Sequence, residues 1–273
     1  MKRAYFYIDD VIWLFRDLTR QRPASMFDYF FLKELKKAHE LYGAKFQLNV
    51  FYRTSFCQDK VEFTLAEMTD AYTAEWEGAS DWLKFGVHAW EEFPDWPFEH
   101  ATYEDTLNLM QTVKEQLRRF AGENSFSETM TPHWGPATLE ACRAFRDGGV
   151  RLLYATSPSS PLWRNNHNNL SEEAAEASRF STWQPLDPAT GLYLKRFGSM
   201  GKAVNNAASV AEIDELLIPC LDREYLTVAT QSQYSYPDYK WYQPDHWDKI
   251  LRVCQLLHES GYTFIYAHEL IRQ

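Results

Sequence analysis

At 273 residues the chain exceeds one small module and suits either a large α/β barrel or two modest domains. Its formal charge of -10 lacks the basic footprint that nucleic-acid backbones and anionic membranes require, which argues against both as partners. Phe, Tyr and Trp make up 16% of the residues, an excess that on an acidic protein suits a small-molecule or oligosaccharide substrate with a stackable ring face.

The opening Met1-Lys2-Arg3-Ala4-Tyr5-Phe6-Tyr7-Ile8-Asp9-Asp10 holds a strand-like run at 4–9. The aspartate pair cuts that run and no small-residue cleavage site follows, so it does not read as a secretory signal. Over 26–42, Phe27, Phe30, Phe31, Leu35, Ala38 and Leu41 fall near helical spacing, with Gly43 as the C-cap. Residues 45–52 alternate Phe46, Leu48, Val50 and Tyr52 as a strand does. Thr64 opens a capping-box pattern, which predicts a helix to about residue 77. Residues 83–89 form a strand that delivers His88 at its end. A helix at 103–120 carries Leu107, Met110, Val113 and Leu117 on one face.

A short strand at 127–134 leads into Gly135-Pro136, then a helix at 137–145 and a strand at 151–156. Residues 157–191 break the rhythm with Asn165-Asn166-His167-Asn168-Asn169 and read as a polar insertion. Strands at 192–197, 224–229 and 262–266 alternate with helices at 209–221 and 245–260. This alternation predicts one domain over 1–273, α/β in class: a distorted (β/α) barrel of seven or eight units with parallel strands. A doubly wound open sheet is the alternative. No stretch approaches the ~18 apolar residues of a membrane span. Cys57, Cys142, Cys220 and Cys254 show no CxxC spacing, so the expectation is a cytoplasmic protein with reduced thiols.

In a parallel barrel the reacting groups sit at the carboxyl ends of strands. The polar residues there are Asp9 and Asp10, His88, His133, and Gln231 with Gln233. Carboxylates and imidazoles gathered from different strands suit a divalent metal, although Asp9-Asp10 could equally cap the next helix. His88 and Glu92 are four residues apart, so one helical turn would place them on the same face. With a carboxylate from the first strand they make three protein ligands and leave positions open for water and substrate.

These residues also resemble a known family. Tyr7-Ile8-Asp9-Asp10-Val11 is similar to the Thr-Phe-Asp-Asp-Gly motif that opens polysaccharide deacetylases, metal-dependent carbohydrate esterases of the chitooligosaccharide deacetylase-homology type. His88-Ala89-Trp90-Glu91-Glu92 resembles their His-(Ser/Thr)-x-x-His, with Glu92 at the second histidine. Met130-Thr131-Pro132-His133-Trp134-Gly135 stands where the family has Arg-Pro-Pro-Tyr-Gly. The resemblance implies a hydrolase that removes N- or O-acetyl groups from a carbohydrate or cleaves a related small amide. It implies Asp9 as general base and Asp10, His88 and Glu92 as ligands of a divalent metal, zinc first, with nickel, cobalt or manganese as alternatives.

Two departures from the family stand out: Thr131 replaces its arginine, and Gln231 ends the strand where its late histidine falls. His133 is then the expected general acid. Trp90, Trp134, Gln231, Tyr236 and Asp238 are the expected substrate-binding residues, and His100 is a more distant fourth ligand. Two rival readings share these residues. One is a glycoside hydrolase using Asp9 with Asp238 or Glu92; the other is a barrel that binds carbohydrate without cleaving it.

Overall fold

The first strand, β1 (Lys2–Val11), organises the molecule because both its faces are buried and both its edges are paired. In this computed structural model, which describes residues 1–54, 61–155, 177–196 and 203–271, β1 lies between β2 (Phe46–Phe51) and β8 (Tyr225–Gln231). Both pairings are parallel, running from Phe6↔Phe46 on one edge and from Arg3↔Tyr225 to Asp9↔Gln231 on the other. The start of β1 also pairs with β9 (Tyr262–Phe264), and β3 (Leu83–Ala89) extends the sheet beyond β2, again in parallel.

A second sheet runs β4 (Thr129–Met130), β5 (Leu152–Ala155), β7 (Leu192–Arg196), β6 (Leu186–Asp187), and of these pairings only β6–β7 is antiparallel. A bridge between Phe85 and Phe126, with Ser127 N donating to Phe85 O at 2.7 Å, ties this sheet to the edge of β3. The architecture is thus mostly parallel α/β, as the alternation of the sequence predicts. The polar insertion placed at 157–191 falls largely on 156–176, outside the described residues.

Side chains alternate across a strand, and β1 shows what each face meets. Ala4, Phe6 and Ile8 join the large apolar core under the helices, while Tyr5 and Tyr7 point at Leu152 and Tyr154 of β5 and at Tyr225 of β8. Tyr5 stacks on Tyr154 with ring centroids 5.5 Å apart, and Tyr154 hydrogen-bonds Tyr225 and Thr227. The two sheets therefore face one another across a tyrosine-lined interior. The Tyr154 and Tyr225 hydroxyls are satisfied there by each other and by Thr227, whereas Tyr5 contributes by ring stacking.

The helices whose full span lies among the described residues are α1 (Trp13–Gln21), α2 (Phe30–Tyr42), α3 (Thr73–Ala79), α4 (Tyr103–Ala121), α5 (Leu139–Asp147), α6 (Ala203–Asn206), α7 (Val210–Leu217) and α8 (His246–Glu259). Gly43 closes α2 at φ 65°, its N–H on His39 O at 2.8 Å, which is a left-handed cap that glycine adopts without strain. The sequence pattern does not mark α1, because the apolar run that resumes at Val11 after the aspartate pair passes into Leu14 and Phe15 with no turn residue between. The helix expected from 64 to 77 is divided. The capping box of Thr64 and Glu67 forms, but around a single 3-10 turn, and α3 starts only at Thr73. No helix of the described residues is long and apolar enough to cross a membrane.

His246, at the start of α8, clips that helix to the sheet: its ring nitrogens lie 2.7 Å from Thr230 Oγ1 and 2.7 Å from Ser235 Oγ. Burial, then the charge of Lys249, push its pKa down to about 3 against the pull of Asp245. The unfolded chain therefore binds the proton first, and folding loses stability as pH falls from about 6.5 toward 3. Urea unfolding at stepped pH is expected to show that loss, with a shallower slope in His246→Gln than in the parent.

Candidate metal centre

The site begins with an irregularity in β1. Ile8 pairs with Leu48 and Val11 with Val50, so β1 carries one residue more than its partner across this interval. Such a bulge re-aims side chains. Here Asp10 takes a left-handed φ of 62°, a conformation that Asp tolerates better than most residues. Asp9 and Asp10 would point to opposite faces of a regular strand. In the bulged strand both reach His88: Asp9 Oδ1 lies 3.8 Å from Nδ1 and Asp10 Oδ1 lies 3.2 Å from Nε2. Ser232 Oγ donates to Asp10 O at 2.8 Å and holds the bulge from the end of β8. The aspartate pair does not cap α1, whose N-cap is Ile12.

β3 repeats the device. Val87 pairs with Val50 and Ala89 with Phe51, leaving His88 as the extra residue. Its Nδ1 lies 2.8 Å from Thr131 O, and a carbonyl can only accept, so Nδ1 carries the hydrogen and Nε2 is turned to Asp10. His133, in the loop after β4, is fixed the opposite way round: Nε2–H donates to Glu92 O at 3.0 Å, and Nδ1 faces His88 Nε2 at 3.1 Å and Asp10 Oδ1 at 3.6 Å. Phe51 closes the other side, its ring 5.2 and 5.0 Å from the two imidazoles.

One atom each from Asp10, His88 and His133 therefore lies within 4.8 Å of the others, and all three residues are buried. Asp10 Oδ1 is enclosed and faces the two imidazoles, a position that a buried carboxylate oxygen holds only with positive charge beside it. Two ring nitrogens face each other beside it. A carboxylate and two imidazoles in this arrangement fit a divalent cation such as zinc. Without one, a proton substitutes. Burial works against charge on His88, but Asp9 and Asp10 outweigh it and hold its pKa up to about 9. Burial and His88 together push His133 down to about 4, against Asp10.

The remaining expected residues are dispersed by the fold. Residues 90–99 form a loop and not the helical turn that would set Glu92 beside His88 on one face. The Glu92 carboxylate instead accepts from Gln233 Nε2 at 2.8 Å, outside the converging trio, and burial followed by the charge of Asp10 raises its pKa to about 7. Trp90 packs edge-on against Tyr52. Gln231 accepts from Asn205 at 2.6 Å. Tyr236 is buried among Trp13, Phe30 and Phe31, which makes it a core residue and not a wall that substrate meets. Asp238 is exposed on its loop, His100 is 91% exposed and so no buried ligand, and His167 lies outside the described residues.

Trp134 does lie at the centre, its ring 5.9 Å from that of His133. Tyr234 and Tyr239 pack edge to face on the loop after β8, with ring centroids 5.5 Å apart.

Sequence reasoning misses the partners of Asp9. Asn49 Nδ2 donates to Asp9 Oδ1 at 2.7 Å, Gln47 Nε2 donates to Asn49 Oδ1 at 2.6 Å, and Ser127 Oγ donates to Gln47 Oε1 at 2.5 Å. A neutral amide thus stands where the family resemblance implies an arginine. Gly86 makes the room: a Cβ there would sit 2.5 Å from Gln47 Nε2 and closer still to Asn49 Oδ1. The available signal was the polar set alternating with Phe46, Leu48 and Val50, because strands of a parallel sheet are covered on both faces.

No family model and no curated protein matches the sequence. Among solved structures, the chain is similar to the 4-alpha-glucanotransferase of Thermococcus litoralis, with a TM-score of 0.62 at 12% identity over 99% of this chain and 40% of that one. It is similar to Agd3, described as a novel carbohydrate deacetylase, with a TM-score of 0.55 at 9% identity over 99% of this chain and 53% of that one. A Xyl-CE4 domain of a multidomain xylanase from the hindgut metagenome of Trinervitermes trinervoides matches at a TM-score of 0.46 and 8% identity, over 99% and 90%. The chain spans less than half of the glucanotransferase and about half of Agd3. At these identities the likeness is one of fold, and it is the α/β fold that the motif resemblance implies.

Two expectations follow. Elemental analysis of the purified protein should find a stoichiometric divalent metal that Asp10→Asn, His88→Ala and His133→Ala lose and Glu92→Gln retains. Gly86→Ala should cost about 1–3 kcal/mol through overpacking. Gly78→Ala, on α3 with open space around it, should gain about 0.5–1 kcal/mol, both read by denaturant unfolding.

Proposed function

We propose that the protein is a metal-dependent hydrolase of the deacetylase kind, which removes an acyl group from the nitrogen or oxygen of a carbohydrate. The observation that carries this reading is the buried Asp10 Oδ1, faced by two imidazoles whose outer nitrogens are already committed to backbone carbonyls. Asp10, His88 and His133 would hold the ion, with His133 serving as ligand in place of Glu92. A divalent ion bound there supplies Lewis acidity toward the acyl carbonyl and toward water.

The chain's own groups then divide the proton work. Asp9, held by Asn49 and 17% exposed, is the base that takes a proton from the attacking water. His133, with its pKa down at about 4, is neutral near pH 7 and has no proton to give. Glu92, half-enclosed beside the trio and held by Gln233, is the carboxyl group placed to serve the leaving group, and burial favours its protonated form. That environment of burial plus a neighbouring carboxylate is how a carboxyl group comes to act as an acid at neutral pH. The likeness to Agd3, named a carbohydrate deacetylase, supports carbohydrate as the carrier of the acyl group.

The likeness to a glucanotransferase keeps a two-carboxylate glycosidic reading alive, and one experiment separates the two. Release of acetate from a panel of acetylated sugars should stop in excess chelator. It should fall about 10²–10⁴-fold in Asp9→Asn with bound metal unchanged, and comparably in Glu92→Gln. Glycosidic turnover that persists in chelator would refute the hydrolase reading in favour of the glycosidic one.

A further inference from the structure

Among the described residues, four other than glycine have a left-handed backbone: Asp10, Arg22, Trp96 and Trp134. Arg22 is the C-cap of α1, where this conformation is ordinary. The other three gather at the metal centre. Backbone outliers of this kind persist only where the surroundings over-determine them, and they cluster at active sites and ligand clamps.

Trp96 and Trp134 are also exposed, at 46% and 49%, although burying such rings is strongly favoured. Their ring centroids lie 6.0 Å apart at 62°, and Trp134 in turn abuts His133. The loops that bear them are tied down. Phe98 bridges Ala137, Thr138 N donates to Phe98 O at 3.0 Å, and the Phe98 ring packs on Phe145. Tight turns close beside each tryptophan through Glu99 N to Trp96 O and Gly135 N to Pro132 O, and His133 Nε2 joins the loops by donating to Glu92 O. The rings are therefore held outward by a rigid frame.

We propose that Trp96 and Trp134 form a saccharide subsite beside the metal centre, for the sugar ring adjacent to the one that carries the acyl group. This deepens the function proposed above and rests on it. A pyranose presents an apolar C–H face for stacking and hydroxyls for a polar rim. The rim here is polar: the exposed carboxylate of Asp95 and the carboxyl of Glu92 lie on the same loop, while Glu91 is neutralised by Arg53. With a chain charge of -10, an anionic glycan is repelled and a neutral one is not. A wholly apolar ligand would desolvate those carboxylates without pairing them.

The test uses Trp96→Gly and Trp134→Gly, because glycine accepts a left-handed φ freely and the substitutions relieve the strain. Binding of the tetramer of β-1,4-linked N-acetylglucosamine is measured by calorimetry, with thermal unfolding and metal content on the same samples. The parent is expected to bind, and each variant to bind about tenfold more weakly with an unchanged or raised Tm. Three results would overturn the subsite: no binding by the metal-loaded parent, equal binding by the variants, or a clear fall in Tm that makes the pair a packing element. A parent that binds the tetramer in this Trp-dependent way but holds no metal would support the subsite and sink the hydrolase reading alone.

Discussion

Two adjacent carboxylates in a strand that is buried on both faces set the problem that the surrounding structure solves. A charge taken out of water is tolerated only when it is paired or hydrogen-bonded, and a regular strand would send Asp9 and Asp10 to opposite faces. One extra residue in β1 brings both to the same corner. Asn49 then satisfies Asp9, while Asp10 is left to two imidazoles whose outer nitrogens are held by backbone carbonyls. The bulge at His88 in β3 is the matching adjustment on the facing strand. Neither irregularity has a packing rationale of its own, and both re-aim a side chain toward one point.

Around that corner the interior is polar by construction. Below it, Tyr5, Tyr7, Tyr154 and Tyr225 fill the space between the sheets, and beside it run Ser127, Gln47 and Asn49. A chain of buried amides is favourable only when each member finds a partner, and Gly86 is what lets two of them fit. The aromatic excess of the composition thus divides by role. Phenylalanines are most of the aromatic residues in the outer core, tyrosines line the inner one, and two tryptophans stand exposed at the mouth of the site.

Much of the fold is legible in the sequence because hydrophobic periodicity reports which face of an element is covered. Periods near 3.6 mark α2, α4 and α8, and runs of apolar residues mark β1, β3 and β8. The failures are equally physical. The apolar residues resume directly after Asp9 and Asp10 and run into α1, so no boundary between strand and helix shows, and the Thr64 capping box closes on a single turn although Leu65, Met68 and Tyr72 keep helical spacing. At the site, the strand-end positions of Asp9, Asp10, His88 and His133 could be read from the motifs, but their grouping could not. Glu92 shows why: helical spacing presumes a helix, and the chain after Ala89 forms a loop.

The sequence by itself determined the α/β alternation, the acidic and aromatic character, and the short list of groups able to do chemistry, since each follows from residue type and spacing. The tertiary structure alone decided which of those groups converge. A one-residue bulge flips side chains between faces and leaves no mark in periodicity. The partners that set each group's protonation come from strands far apart in the chain, as Asn49 does for Asp9 and Thr131 for His88. Exposure is likewise a property of the folded surface, which is why Tyr236 is core while Trp134 stands open beside His133.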